Sequence, residues 1–134
     1  MRPLVTGATG FIGLEVVRQL ASAGIRPRVV VRRPSRAPLL NGLDVEPVHA
    51  DLRDPTSLRR AVEGCDAVIH LAARATFEDE AYLRPTIVDG SVALARAAAD
   101  AGVRTFVHAS SLLVHGDVEG PIDRHTRPEP VIGY

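Results

Sequence analysis

Apolar positions along the chain follow two alternating rhythms. Short continuous runs read as buried strands: Leu4-Val5, Arg28-Val29-Val30-Val31-Arg32, Val45-Glu46-Pro47-Val48-His49, Ala67-Val68-Ile69-His70-Leu71-Ala72-Ala73 and Thr105-Phe106-Val107-His108-Ala109. The proline in the third run places it at a sheet edge. Between them, apolar residues recur at helical spacing. Ile12, Val16, Val17, Leu20 and Ala21 predict a first helix that stops at Ala23-Gly24. Residues 32–36 read as a polar turn, with a short helix over 37–43. Asp54 as N-cap and Pro55 at the first helical position open a helix carrying Leu58, Ala61 and Val62 and ending near Gly64. After a loop over 74–80, one long helix is predicted from 81–85 to about 101. Ile87, Val88, Val92, Leu94, Ala95 and Ala98 are its expected buried surface, and Gly102 its stop. Residues 116–134 hold Pro121, Pro128 and Pro130 and should be irregular.

Strands alternating with helices, with runs apolar throughout, predict an α/β fold: a doubly wound parallel sheet of Rossmann type, covered on both faces. The expected strand order is 3-2-1-4-5, with a ligand crevice at the carboxyl ends of strands 1 and 4. Residues 1–134 read as a single domain.

The densest chemical signal is Thr6-Gly7-Ala8-Thr9-Gly10-Phe11-Ile12-Gly13, between the first strand and the first helix. Free backbone N–H groups and the positive end of a helix dipole converge there, which suits a phosphate. Gly7 permits the sharp turn, Gly10 a close approach of pyrophosphate to the backbone, and Gly13 tight packing of helix on sheet. The spacing, three glycines three apart, differs from the commoner Gly-x-Gly-x-x-Gly. No Gly-Lys-Ser/Thr follows, so a P-loop is excluded; all sixteen basic residues are arginine.

Composition narrows the partners. Sixteen basic residues balance sixteen acidic ones, so nothing draws the chain to nucleic acid or an anionic membrane. Aromatics are 4% of the chain, so the core must be built from Val, Leu, Ile and Ala. The single cysteine, Cys65, reads as a small core residue and fits a reducing cytoplasm, the expected location. The N-terminal apolar run is too short for a signal peptide, and none reaches the ~20 residues of a membrane span. The five histidines form no metal-ligand pattern, and no metal is expected. His70 and His108, within strands, read as satisfied core or edge residues.

Taken in order, the glycine loop, Asp51-Leu52-Arg53-Asp54, His70-Leu71-Ala72-Ala73, the segment Phe106 to Gly116, and the tail Pro121-Ile122-Asp123 through Tyr134 resemble the extended short-chain dehydrogenase/reductase family. This is the NAD(P)-dependent epimerase/dehydratase-like group. The resemblance covers essentially the whole chain. It implies that Gly7, Thr9, Gly10, Phe11, Ile12 and Gly13 cradle a coenzyme pyrophosphate and that Asp51 and Leu52 border its adenine. It implies that Leu71, Ala72 and Ala73 line the wall near the nicotinamide ribose. Ser111 would hydrogen-bond a substrate carbonyl or hydroxyl, and Tyr134 would donate or accept its proton. A tyrosine with pKa ~10 needs nearby positive charge for that work. The family supplies it from a lysine four residues later, and this chain stops at Tyr134. The expectation is an N-terminal fragment, inactive by itself, of a longer enzyme. Two smaller departures are Ile87 in place of the usual asparagine and His115 in place of tyrosine.

An arginine at the end of the second strand accommodates the 2′-phosphate of NADP, where an acid would select NAD. Arg32 stands there, with Arg33, Ser35 and Arg36 beside it, so NADP is expected over NAD. The expected function is hydride transfer, with Ser/Tyr-assisted proton transfer, on a small-molecule substrate. The alternatives are a non-catalytic NAD(P)-sensing regulator and an interaction domain on the same fold. The retained Ser111–Tyr134 pair disfavours the first alternative and the three glycines the second. Related proteins often pair through the 81–101 helix, so a homodimer is one expected assembly and oligomeric state stays open.

Overall fold

Five short parallel strands make the sheet, and their exits form the functional rim. In this computed structural model, which describes residues 1–74, 76 and 78–131, the strands are β1 (Pro3–Thr6), β2 (Arg28–Val30), β3 (Glu46–Val48), β4 (Ala67–His70) and β5 (Thr105–His108). Their order is β3-β2-β1-β4-β5, all pairs parallel, as the sequence predicts. The edge position of β3 explains its tolerance of Pro47.

Four α-helices connect the strands: α1 (Phe11–Ser22), α2 (Pro55–Val62), α3 (Glu80–Ile87) and α4 (Asp89–Asp100). Side-chain alternation along the strands divides the core in two. Leu4 and Val68 point to one face and pack with Leu58, Ala61 and Val62 of α2 and with Leu94, Ala97 and Ala98 of α4. Val5 and Val29 point to the other face and pack with Val17 of α1 and with Leu40. Leu40 ends a 3-10 helix over Pro34–Leu40. The short helix expected over 37–43 is therefore this tighter turn, and it absorbs part of the polar turn placed before it. Pro34 opens it, and its three-residue repeat accommodates Pro38. Cys65 is a buried free thiol just before β4, as expected. Among the described residues no helix is long and apolar enough to cross a membrane.

Local chemistry sets the boundaries. The Asp54 carboxylate accepts from Thr56 N–H at 3.0 Å and Pro55 follows, so α2 begins where the cap predicts. Gly24, Gly64 and Gly102 adopt positive φ just beyond α1, α2 and α4.

Three expectations are corrected. First, residues 81–101 are not one helix: the chain breaks at Val88. Pro85 has no N–H to donate within α3, and the Ser91 hydroxyl donates a short bond to the carbonyl of Ile87. Both weaken helical continuity. The buried face is Leu83, Thr86, Gly90, Leu94, Ala97 and Ala98, while Val88, Val92 and Ala95 are exposed. Gly90 is on it because an added Cβ would stand 2.7 Å from Cβ of Leu52. Secondly, only Val29 of β2 is fully buried. Thirdly, the sheet is not covered on both faces throughout. All of β5 is exposed, Val107 to 51%, because α1 lies over β1 and β2 and no described element reaches across to β5 on that face.

At the rim opposite the strand exits, an ion cluster ties the sheet to α2. Glu46 accepts from Arg28 and Arg2 side chains, each at 2.7 Å. Arg28 also donates to the carbonyls of Ala61 and Glu63 at the end of α2, at 3.1 and 2.8 Å. The Arg28 bond, then that of Arg2, pulls the Glu46 carboxyl down to about 2. Its proton therefore binds the unfolded chain more readily, and the stabilisation, complete above pH ~4.5, is lost as pH falls towards ~2. Glu46→Gln should destabilise the protein at pH 7 and flatten the decline between those values. Denaturant melts across pH measure both, and an unchanged acid limb in the variant would contradict this role.

Candidate coenzyme cleft

The turn after β1 is built on two close approaches. Gly7 has φ +72°, and a Cβ there would lie 2.8 Å from the backbone of Leu71 and Ala72 at the exit of β4. A Cβ on Gly13 would overlap the carbonyl of Gly7, which also accepts Gly10 N–H at 2.9 Å. Only glycine at both positions lets the first turn of α1 sit down on the strand exit. Gly10 is the N-cap of α1 and offers no side-chain cap, and the first turn holds no acidic residue. The early N–H groups of the helix, at Phe11, Ile12 and Gly13, have no intrahelical acceptor by geometry. Donors and helix dipole together are uncompensated at the cleft.

The cleft holds about 340 Å³. The β1 exit and turn contribute Thr6, Gly7, Thr9 and Gly10; β2 and the segment after it contribute Val30, Arg32, Arg33 and Arg36. Ala50 and Leu52 close one side, Leu71, Ala72 and Ala73 the other, with Leu58 and Thr86 beneath. Nine residues named from sequence thus meet: Gly7, Thr9, Gly10, Arg32, Arg33, Leu52, Leu71, Ala72 and Ala73. Others stand apart. Phe11 is 98% exposed and Ile12 62%, so each reaches the cleft only through backbone N–H, and Gly13 is buried behind the turn. The outward Ile12 departs from the apolar face read for α1. Asp51 does not line the cleft. Its carboxylate is held by Arg53 at 3.2 Å, which lowers its pKa; burial opposes this and Arg32 adds a smaller pull. Ser111 lies outside the cleft lining, past β5, where its hydroxyl accepts from Leu113 N–H and caps a 3-10 turn over Leu112–His115. Tyr134 lies outside the described residues.

Sequence reading missed Thr6, Val30, Ala50, Leu58 and Thr86 as lining residues. Their only signal was position at strand exits or on a helix face. Thr6 is fully buried. Its Oγ1 lies 2.6 Å from Nδ1 of His70 and accepts from Ala72 N–H at 3.2 Å. His70, read as a satisfied core histidine, is that: its Nε2 meets Ser91 Oγ at 2.9 Å. Burial pushes its pKa down to about 4, and His108, with ring centroids 5.2 Å apart, adds to the shift. Among the described residues, Arg32, Arg33 and Arg36 make no ion pair, and all are exposed. Among the described residues, three guanidinium groups outside every ion pair and an uncapped helix N-terminus therefore meet at one cleft whose lining holds no carboxylate. That arrangement suits a polyanion.

Known proteins agree with this geometry. A family model described as "NAD dependent epimerase/dehydratase family" matches residues 3–134. "Sterol demethylase protein B" of Methylococcus capsulatus is 39% identical over 133 residues, covering 97% of this chain and 40% of that protein. "Ceramide reductase" of Caulobacter vibrioides is 43% identical over 108 residues, covering 81% of this chain and 34% of that one. Among solved structures, a short-chain dehydrogenase/reductase superfamily protein from Agrobacterium tumefaciens with bound NAD superposes with TM-score 0.88 at 34% identity. That match covers all of this chain and 40% of the other. UDP-glucose 4-epimerase from Thermotoga maritima with UDP-glucose gives TM-score 0.89 at 28% identity, covering all of this chain and 46% of the other. The chain thus spans less than half the length of these relatives. The family model over residues 3–134 and these relatives place the chain in the NAD dependent epimerase/dehydratase family, within the extended short-chain dehydrogenases/reductases.

Proposed function

We propose that the full-length gene product is an NAD(P)-dependent oxidoreductase or epimerase/dehydratase acting on a hydroxyl or carbonyl of a small molecule. In this reading residues 1–134 are its coenzyme-binding domain. The observation that carries the reading is the glycine-built seat of α1: uncapped, free of acidic residues in its first turn, and open to the cleft. The residues present fit a dinucleotide. The free backbone N–H groups of Phe11 and Ile12 would hold the diphosphate against Gly7, Thr9 and Gly10, Leu52 would border the adenine, and Leu71, Ala72 and Ala73 would form the wall at the nicotinamide end. A bound nicotinamide supplies a hydride acceptor or donor.

The proton that balances the hydride falls to this chain's own side chains. Ser111 would hydrogen-bond the substrate oxygen and Tyr134 would give or take its proton. Tyr134 needs a neighbouring cation to ionise near neutral pH. These 134 residues contain no lysine, so that charge must come from an arginine or from outside them.

The coenzyme proposed is NADP. Arg32, Arg33 and Arg36 line the end of the cleft where β2 exits, and the Asp51 carboxylate, which feels Arg32, is engaged by Arg53. A 2′-phosphate would find cations there and no carboxylate in the lining.

Two measurements on the full-length gene product test these roles. In fluorescence titrations NADPH should bind more tightly than NADH, and Arg32→Ala should weaken NADPH by about tenfold while leaving NADH nearly unchanged. Tighter NADH binding, unaltered by the substitution, would remove the NADP assignment. Ser111→Ala and Tyr134→Phe should each lower kcat by about 10²–10⁴ with little change in coenzyme affinity. Full turnover in either variant would strike that residue from the proton path.

A further inference from the structure

The chain Thr6–His70–Ser91 joins the floor of the cleft to the break between α3 and α4, and its protons can be ordered. The Ser91 hydroxyl has one hydrogen, given to the carbonyl of Ile87. Ser91 Oγ must therefore accept from His70, which puts the imidazole proton on Nε2. Nδ1 is then an acceptor and takes the Thr6 hydroxyl proton at 2.6 Å. Thr6 Oγ1 in turn accepts from Ala72 N–H at 3.2 Å. Every donor has one acceptor, from the cleft wall at Ala72 to the carbonyl of Ile87, beside the break at Val88. The sheet register makes this possible, because Thr6, His70 and His108 are level across β1, β4 and β5.

We infer that His70 is a positioning residue: a neutral imidazole carrying its proton on Nε2, it locks the Thr6–Ala72 wall of the cleft to the α3–α4 break and so links coenzyme affinity to Ser91. The affinity part rests on the coenzyme reading above; the proton order does not. Ser91 is the informative end, since it touches His70 and Ile87 and lies outside the cleft lining. Facing the imidazole are Thr6 of β1, Ser91 of α4, and Phe106 and His108 of β5. The ionisable residue type among these is His108. A second proton on His70 would need a new acceptor at Nδ1, where the Thr6 hydroxyl already donates. Its depressed pKa, about 4, agrees with a ring that stays neutral across the working range.

The experiment is ¹⁵N NMR of the histidine rings in the full-length gene product without coenzyme, followed by NADPH titration of variants. At pH 7 the His70 ring should be neutral with its proton on Nε2. Ser91→Ala removes the acceptor, so it should move the ring to a mixture of tautomers and weaken NADPH by about threefold or more. Thr6→Val should weaken NADPH by about tenfold, and Thr6→Ser, which keeps the hydroxyl, should recover most of it. A proton on Nδ1, a charged ring at pH 7, or a Ser91→Ala protein with wild-type NADPH affinity would overturn the inference. A weakened Ser91→Ala protein whose tautomer is unchanged would overturn it too. Wild-type protein that binds neither NADPH nor NADH would remove the coenzyme reading and the affinity link. A wrong tautomer would remove the proton order and leave the coenzyme reading standing.

Discussion

The carbonyl of Gly7 is the point through which β1, α1 and the cleft are held together. It accepts Gly10 N–H at 2.9 Å and occupies the space a side chain on Gly13 would need. Across from it, the backbone of Leu71 and Ala72 stands where a side chain on Gly7 would go. Two missing Cβ atoms thus let a helix end, a turn and a neighbouring strand exit crowd one place. The polarity of the site follows from that crowding. The first N–H groups of α1 have no intrahelical partners, and its first turn holds no acidic residue.

Charge is segregated to suit this arrangement. At the rim away from the cleft, arginine is consumed internally: Arg2 and Arg28 hold Glu46, and Arg28 caps the carbonyl end of α2. At the cleft, Arg53 takes Asp51, while Arg32, Arg33 and Arg36 remain outside every ion pair among the described residues. A chain of zero net formal charge therefore carries a local positive field at the strand exits, where β2 releases its arginines. Composition alone pointed only to neutrality. The field arises from which guanidinium groups found a partner and which did not.

Legibility from sequence followed the range of the interactions. The N-cap at Asp54, the glycine stops after three helices and the turn at Gly7 are local, each decided within a few residues, and each stands where it was read. The parallel sheet and its order also followed, since continuous apolar runs separated by helices leave few topologies. The helix face over 81–101 was misread for a non-local reason. Val88 and Val92 outrank Thr86 and Gly90 in hydrophobicity, yet Gly90 is buried because Leu52 needs its space. Ser91, polar and unremarked, turns inward because His70 offers it a partner.

Sequence by itself determined the fold class, the strand order, the glycine turn after β1 and the arginines after β2. Each is written in local pattern: apolar period, cap chemistry, and glycine where backbone must turn or approach. Tertiary structure alone added Thr6, Val30, Ala50, Leu58 and Thr86 to the cleft and left Ser111 outside its lining. It also decided that Arg53 takes Asp51 and that His70 is buried between Thr6 and Ser91, where its pKa is lowered. Both are pairwise outcomes of packing, since a carboxylate's partner and an imidazole's tautomer depend on what distant segments place beside them.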